Sequence, residues 1–560
     1  MKGAHTAAFL LLLALASQAR GGSQVVAKTA ALSTASPHAT LAGLHVLREG
    51  GNAADAAVAV AFVLAVVHPQ AGNIGGGGFC VYYEAKSKGI WTLDFREVAP
   101  LAATREMYVQ PDGMPGERSR TGPLAAGVPG SVAGLAALHA RFGTRAWKDL
   151  LDPAIALARE GIRADEELSR DLMQQKERRA IDQFPATAAL FFPGGKALGE
   201  GTRLVQPDLA ATLQRIADRG ADGFYQGETA ERLVEQVRAA GGILSFRDLR
   251  EYKPVWRAPI RLRFGRYEIY TMAPPSAGGL VLGESLNILG SYDLKTLGFQ
   301  SAKTLHLMAE AFRRAAVDRM QYVGDPATSR IPYRELLSKE RAEQWRQSID
   351  PNRLTPTSTL SPPGGPGAEG AHTTHFTIVD GEGNIASLTT TLNENFGSGY
   401  LVPGLGFFLN NEMDDFATAP GRPNRYGLVQ GNVNAIEPRK RMASSMTPAI
   451  VLRDGRPFLA LGSRGGPTIP TQVLQVFLNV AVYGMGLREA VAAPRFHHQA
   501  LPDQIDYERQ APKEIVDALN AMGHAVSMRD AIGDVHAVMI EDGRLTAVAD
   551  PRRGGAAGGF

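Results

Sequence analysis

The chain has 560 residues, 44% of them hydrophobic and 21% charged, with a formal net charge of +3. That composition is ordinary for a globular protein, and the length calls for several domains or one large layered fold. So small a charge, without any Lys/Arg run, gives no footprint for nucleic acid, and a single cysteine, Cys80, excludes an internal disulfide.

In chain order, residues 1–19 stand apart. Lys2 is followed by an unbroken apolar run over 7–16, and Ser17-Gln18-Ala19 ends in small residues. This is the layout of a secretory signal peptide; the run is too short to span a bilayer as a helix. No cysteine follows it to take a lipid anchor, so the expected destination is the periplasm or the medium. Residues 52–67 (NAADAAVAVAFVLAVV) predict a helix that is apolar all round, capped by Asn52 and stopped by His68-Pro69. Such a helix belongs in a core. The glycine run at 75–78 has no following lysine and no G-x-G-x-x-G frame, so it reads as tight backbone packing near a site.

From about 147 to 346 charged helical patterns alternate with turns; 209–219 and 229–240 read as amphipathic helices, and the whole stretch as scaffold. Residues 352–372 (NRLTPTSTLSPPGGPGAEGAH) are rich in Pro, Gly, Ser and Thr and almost devoid of apolar side chains. Such a segment cannot offset its ordering entropy by burial and is expected to be a mobile linker. At Thr373 the texture changes to strand: 373–379, a turn at 380–384 and a return over 385–392 predict a β-hairpin. Two more hairpins are predicted, 449–461 around Asp454-Gly455 and 535–548 around Asp542-Gly543, with helices at 468–483 and 512–522. Hairpins with interleaved helices indicate stacked sheet and helix layers.

A linker that stops at a Thr opening a strand has chemical meaning. Cleavage before Thr373 would give one residue both a hydroxyl nucleophile and a free α-amino group, whose reference pKa of about 7.7–8.0 suits a general base. Motifs for other catalytic chemistries are missing: there is no G-x-S-x-G elbow, no H-E-x-x-H and no C-x-x-C. Spacing alone still allows the plainer reading, a Thr at a strand start after a loop.

Seven motifs occur in register: Asn73-Ile74-Gly75-Gly76-Gly77-Gly78-Phe79, Asp94-Phe95-Arg96-Glu97, Thr373-Thr374-His375, Thr391-Leu392-Asn393, Asn410-Asn411-Glu412-Met413-Asp414-Asp415-Phe416, Ser444-Ser445-Met446-Thr447-Pro448 and Gly462-Ser463-Arg464-Gly465-Gly466. Together they resemble the γ-glutamyltransferase family of N-terminal nucleophile hydrolases, over residues 30–552. The resemblance implies an α+β, four-layer αββα sandwich. It implies one precursor cut between His372 and Thr373 into a large subunit, 20–372, and a small one, 373–560, which together form a heterodimer.

The same resemblance implies roles. Thr373 would be the nucleophile for both self-cleavage and turnover, and Thr391 would hydrogen-bond its hydroxyl. The Gly465 and Gly466 backbone N–H groups would form the oxyanion hole, where a missing Cβ lets the backbone approach. The substrate's γ-glutamyl group carries an α-carboxylate, suited to Arg96, Ser444 and Ser445, and an α-ammonium, suited to Asn393, Glu412 and Asp415. Glutathione and other γ-glutamyl compounds would be donors, and water, amino acids or dipeptides acceptors, with no metal or organic cofactor. Residues 420–431 (PGRPNRYGLVQG) lie where bacterial members carry a lid. Two positions depart from the common pattern: Arg464 stands where many relatives have Pro, and Pro467 where Ser or Thr is usual. Proline removes only its own N–H, which leaves the proposed donors intact, but acceptor preference near Arg464 stays open. Two rivals remain. A glutaryl-removing cephalosporin acylase would share the fold, though its substrate has no ammonium for Glu412 and Asp415. An exported binding protein would keep the fold without ever being cut.

Overall fold

The computed structural model describes residues 22–360, 373–422 and 431–560. The signal peptide expected at 1–19, the bond after His372 and most of the expected lid lie outside these residues.

The predicted hairpins form and become the centre of the molecule. Strand Thr373–Val379 pairs antiparallel with Ile385–Thr391 in strict register, Thr373 opposite Thr391. The turn is held by Asp380: its Oδ1 accepts from the N–H groups of Glu382 and Asn384, and its Oδ2 from Asn384 Nδ2 and from the Ala53 N–H. The last of these ties the turn to the first residue of helix Ala53–Val67. That helix is buried on every side, and Asn52 and Asp55 close it with a reciprocal capping box.

Two seven-stranded antiparallel sheets result. The first runs Ala556–Gly559, Ala31–Thr34, Thr373–Val379, Ile385–Thr391, Gly77–Glu84, Gly89–Asp94, Val255–Arg257. The second runs Gln24–Ala27, Arg544–Ala549, Asp534–Glu541, Arg456–Arg464, Ala449–Arg453, Tyr267–Thr271, Ile260–Phe264. Side chains alternate across a strand, so one face of each sheet meets the other sheet. Ala31, Val81, Val379 and Ile385 pack there against Ile450, Ala460, Val538 and Leu545. On the outer face of the first sheet Phe376, Ile378 and Leu388 join the large apolar cluster around helix Ala53–Val67. Helices Gly278–Leu289, Ala302–Tyr322 and Ile469–Ala481 cover the second sheet. The layers are helix, sheet, sheet, helix, as expected.

Two expectations need correction. The stretch 147–346 is not all helix and turn: it supplies Val255–Arg257, Ile260–Phe264 and Tyr267–Thr271, which are strands of both sheets. Residues 352–360 are not free either. Leu354 N–H donates to Met522 O at 2.8 Å, Thr355 N–H to Glu310 at 3.2 Å and Thr357 N–H to Asp503 at 2.9 Å, while Arg313 donates to Thr355 O. Polar groups of the scaffold take up the backbone donors that an apolar-poor segment cannot satisfy by packing. Residues 361–372 of the expected linker lie outside the described residues.

Candidate active site

The hairpin register itself builds the core of the site. Residues opposite each other in an antiparallel pair share a face, so Thr373 at the start of one strand meets Thr391 at the end of the next. The Thr373 hydroxyl donates to Thr391 Oγ1 at 3.3 Å, and Thr391 Oγ1 also accepts the Asn393 N–H at 2.8 Å. Both threonines are buried. His375 lies two residues on and faces the opposite sheet, packed against Gly462. Its ring nitrogens bond to Thr389 Oγ1 and Thr377 Oγ1, and burial, with His536 nearby, holds it far below its ordinary pKa. It is neutral, engaged within its own strands, and not a base for Thr373.

Thr373 and Thr391 open onto a common pocket. Its walls bring together Arg96, Asn393, Glu412, Asp415, Ser444, Ser445 and Gly466, seven of the residues singled out from the sequence, from five separate stretches of chain. Strand Gly77–Glu84 runs so close beside Thr391 that a Cβ on Gly76 would lie 2.1 Å from Thr391 O, which gives the glycine run its packing role. Arg96 is fully buried and already paired: Nη1 lies 2.6 Å from Glu412, Nη2 contacts Asp415 and donates to Ala443 O at 3.0 Å, and Glu97 is 3.7 Å away. Those carboxylates hold the guanidinium charged against the cost of burial. Burial pushes Glu412 well above the usual carboxylate range, with Arg96 opposing, and raises Glu97 to about 8. Asn393 adopts a positive φ of 77° and donates from Nδ2 to Asn411 O at 3.0 Å.

Gly465 and Gly466 sit where strand Arg456–Arg464 turns into the helix layer, with φ of 135° and 52°. A Cβ on Gly465 would lie 2.3 Å from Thr468 Oγ1, so the position demands glycine. Gly466 begins the short helical turn Gly466–Thr468, and Pro467 is its second residue. Arg464 is buried, but it does not line the pocket: it pairs with Glu167 and lies 3.8 Å from Asp534. Its departure from the common pattern is thus a change of core ion pairing.

The pocket also holds a residue from the stretch whose sequence reads as scaffold. Arg319, on helix Ala302–Tyr322, lines the wall and donates from Nη2 to Ser445 Oγ at 2.9 Å. Elsewhere, His306, Glu310 and His524 have metal-ligand spacing. They are explained by hydrogen bonds: His306 Nε2 faces Asp350 O and its Nδ1 faces His524 Nε2, each at 2.8 Å, while Glu310 pairs with Arg314 at 2.6 Å.

Two antiparallel sheets packed face to face between helices, with a threonine opening a central strand beside a charged pocket, define an N-terminal nucleophile hydrolase. The gamma-glutamyltranspeptidase family model matches residues 39–560. The glutathione hydrolase proenzyme of Escherichia coli is 41% identical over 530 residues, 94% of this chain and 91% of that one. Among solved structures, a cephalosporin acylase from Bacillus halodurans superposes with a TM-score of 0.84 at 28% identity, covering 96% of this chain and 97% of its own. The gamma-glutamyltranspeptidase of Helicobacter pylori is 42% identical with a TM-score of 0.57, covering 58% of this chain and 93% of its own. The chain belongs to the gamma-glutamyltranspeptidase family.

Proposed function

We propose that the protein is made as a precursor, cuts itself before Thr373, and then transfers γ-glutamyl groups from glutathione and related donors to water or to amino acid and dipeptide amines. The observation that carries this reading is the hydrogen bond between the Thr373 and Thr391 hydroxyls at the mouth of a pocket holding both charge signs. Once cut, the free α-amino group of Thr373 takes the hydroxyl proton as Oγ1 attacks the γ-carbonyl carbon. Backbone N–H groups of Gly465 and Gly466 receive the negative charge on the carbonyl oxygen. The C–N bond then breaks, the proton goes to the leaving amine, and cysteinylglycine departs. Water or a second amine attacks the ester and regenerates Thr373. In this reading Arg96, Ser444 and Ser445 face the α-carboxylate, and Asn393, Glu412 and Asp415 the α-ammonium.

That the solved Helicobacter pylori chain uses nearly all of its length to match 58% of this one is what a large subunit from a cut chain would give. The resemblance of the fold to a cephalosporin acylase supports a second reading, removal of glutaryl groups. Glu412 and Asp415 in the pocket weigh against it, because a glutaryl group has no ammonium to meet them. Residues 1–19 would direct export to the periplasm or the medium; among the described residues no helix is long and apolar enough to cross a membrane.

The test is one preparation of wild type and Thr373→Ala. Wild type should run as two bands, the smaller beginning Thr-Thr-His-Phe, and hydrolyse γ-glutamyl-p-nitroanilide in preference to the glutaryl anilide. Thr373→Ala should stay one band and be inactive. Maturation of the alanine variant at the same bond would assign the cut to another protease; preference for the glutaryl anilide would favour the acylase.

A further inference from the structure

The corner at Gly465 and Gly466 is built around one side chain. Gln472, on helix Ile469–Ala481, is fully buried. Its Nε2 donates to Arg464 O at 3.0 Å and to Thr468 Oγ1 at 2.6 Å, and its Oε1 accepts the Ser463 hydroxyl. Thr468 Oγ1 in turn donates to Gly465 O at 2.8 Å, and Ser463 Oγ accepts the Asp534 N–H at 3.3 Å. Arg464 O can only accept, so the amide nitrogen must face it, and both of its protons and the amide oxygen are engaged. The fit leaves no slack. A Cβ on Gly465 would lie 2.6 Å from Gln472 Nε2, and one on Gly533 1.7 Å from Gln472 Oε1.

What the amide holds is a pair of carbonyls. A trans peptide is planar, and its C=O and N–H point in opposite directions. Arg464 O belongs to the same peptide as the Gly465 N–H, and Gly465 O to the same peptide as the Gly466 N–H. Glycine resists rotation of these planes less than any other residue, so their direction must be imposed by neighbours. Resting on the reading of Gly465 and Gly466 as oxyanion donors, we propose that Gln472 is a positioning residue for the reaction. From the core side it holds Arg464 O directly and Gly465 O through Thr468, and so aims both N–H groups at the carbonyl oxygen of a bound donor. Gly466 lines the pocket and Gln472 does not, so its action passes through the corner and not through contact with substrate. The oxyanion exists only on the way to and from the tetrahedral intermediates of ester formation and ester hydrolysis. Gln472 therefore acts on rate and leaves ground-state binding alone.

The experiment separates ground-state from transition-state binding. Free glutamate, as a competitive inhibitor, reads the first. The γ-boronic acid analogue of glutamate, which gives a tetrahedral anionic adduct on the Thr373 hydroxyl, reads the second. Gln472→Met is close in volume and has no group to donate to Arg464 O. It should lower kcat for γ-glutamyl-p-nitroanilide hydrolysis about ten- to hundredfold and weaken the boronic acid by a similar factor. KM for the anilide and the inhibition constant of glutamate should move less than about threefold. Thr468→Val should give a smaller loss of the same kind, and Thr468→Ser, which keeps the hydroxyl, should restore the rate. Near-wild-type kcat in Gln472→Met overturns the proposal. So does an equal loss of glutamate binding, which would make Gln472 a structural residue of the corner. Should Gln472→Met fail to mature into two bands, the same measurements are made on the two Thr468 variants, and equal kcat in both overturns it. A wild type that binds the boronic acid no more tightly than glutamate would instead sink the reading of this corner as an oxyanion hole, before any variant is made.

Discussion

At the scale of single residues, the site is a matter of one hydroxyl held by another. Thr391 Oγ1 receives the Thr373 proton donor and is itself fixed by the Asn393 N–H, so its lone pairs point where the nucleophile must sit. Thr391→Ala removes that acceptor and leaves the strand intact, since alanine in a buried strand position costs little of the pairing. Maturation and turnover of γ-glutamyl-p-nitroanilide should both fall by two to three orders of magnitude, about the cost of one positioning hydrogen bond in a closed site. Thr391→Ser should restore most of the rate. Near-wild-type turnover in the alanine variant would return Thr391 to a purely structural role. The Thr373–Thr391 pair was legible because a hairpin obeys local rules: alternation over 373–379 and 385–391 with an Asp-Gly turn between them fixes which residues face each other. Arg319 was not. It lies on a helix buried nearly all round, and which of its faces borders a pocket is decided by packing against residues more than a hundred positions away, such as Ser445.

At the scale of elements, the short helical turn Glu412–Asp415 concentrates three acids in four residues, and they are not equivalent. Glu412 and Asp415 face the pocket, whereas Asp414 is turned into the protein and accepts the Ser119 hydroxyl at 2.7 Å. Burial raises Asp414 to about 7, with Glu394 adding and Ser119 and Arg120 opposing. The folded state therefore holds the proton at a pH where the unfolded chain, near 3.8, has lost it. The stability this gives is fully present below about pH 4 and is lost as pH rises through about 7, by at most about 1.4 kcal/mol per pH unit. Asp414→Asn keeps the acceptor for Ser119 and cannot ionise. Its apparent melting temperature, at matched scan rate, should gain on wild type between pH 5 and pH 8; a difference that stays flat over that range would refute the assignment. The sequence marks this segment as acidic but not which acid is inside, because a turn of helix has no period long enough to reveal a face. The edge strand Ile260–Phe264 and its neighbour Tyr267–Thr271 were within reach: Ile-Arg-Leu-Arg-Phe alternates, and Gly265 takes a positive φ of 56° at the turn. They were lost inside a helical stretch because a two-stranded pattern of this length acquires meaning only from the neighbour it pairs with, Ala449–Arg453, which lies far along the chain.

At the scale of the whole molecule, the proposed cut divides the sequence but not the sheets. Residues after Thr373 supply the middle of both: Thr373–Val379 pairs with Ala31–Thr34, and Ile385–Thr391 with Gly77–Glu84. In the second sheet Arg544–Ala549 pairs with Gln24–Ala27, and Ala449–Arg453 with Tyr267–Thr271. Strand Ala556–Gly559 adds a fifth ladder, against Ala31–Thr34. Each seam is a row of backbone hydrogen bonds, roofed by side chains of the apolar clusters, and neither kind of contact is screened by salt. Ion pairs such as Arg464–Glu167 also cross the division, but Arg464 is buried and Glu167 partly so, and salt screens such a pair weakly. Breaking one peptide bond therefore leaves two chains that share both seven-stranded sheets, and neither has a complete core of its own. Matured protein should elute from a sizing column as one species, with the same volume in low salt and at about 1 M NaCl. The same fraction should give two bands on a denaturing gel. Denaturant should separate the chains only over the range in which the far-ultraviolet signal of the sheets is lost, and activity should disappear in the same range. Recovery of a folded large or small chain alone, by salt or by mild denaturant, would show that the ladders are not what joins them.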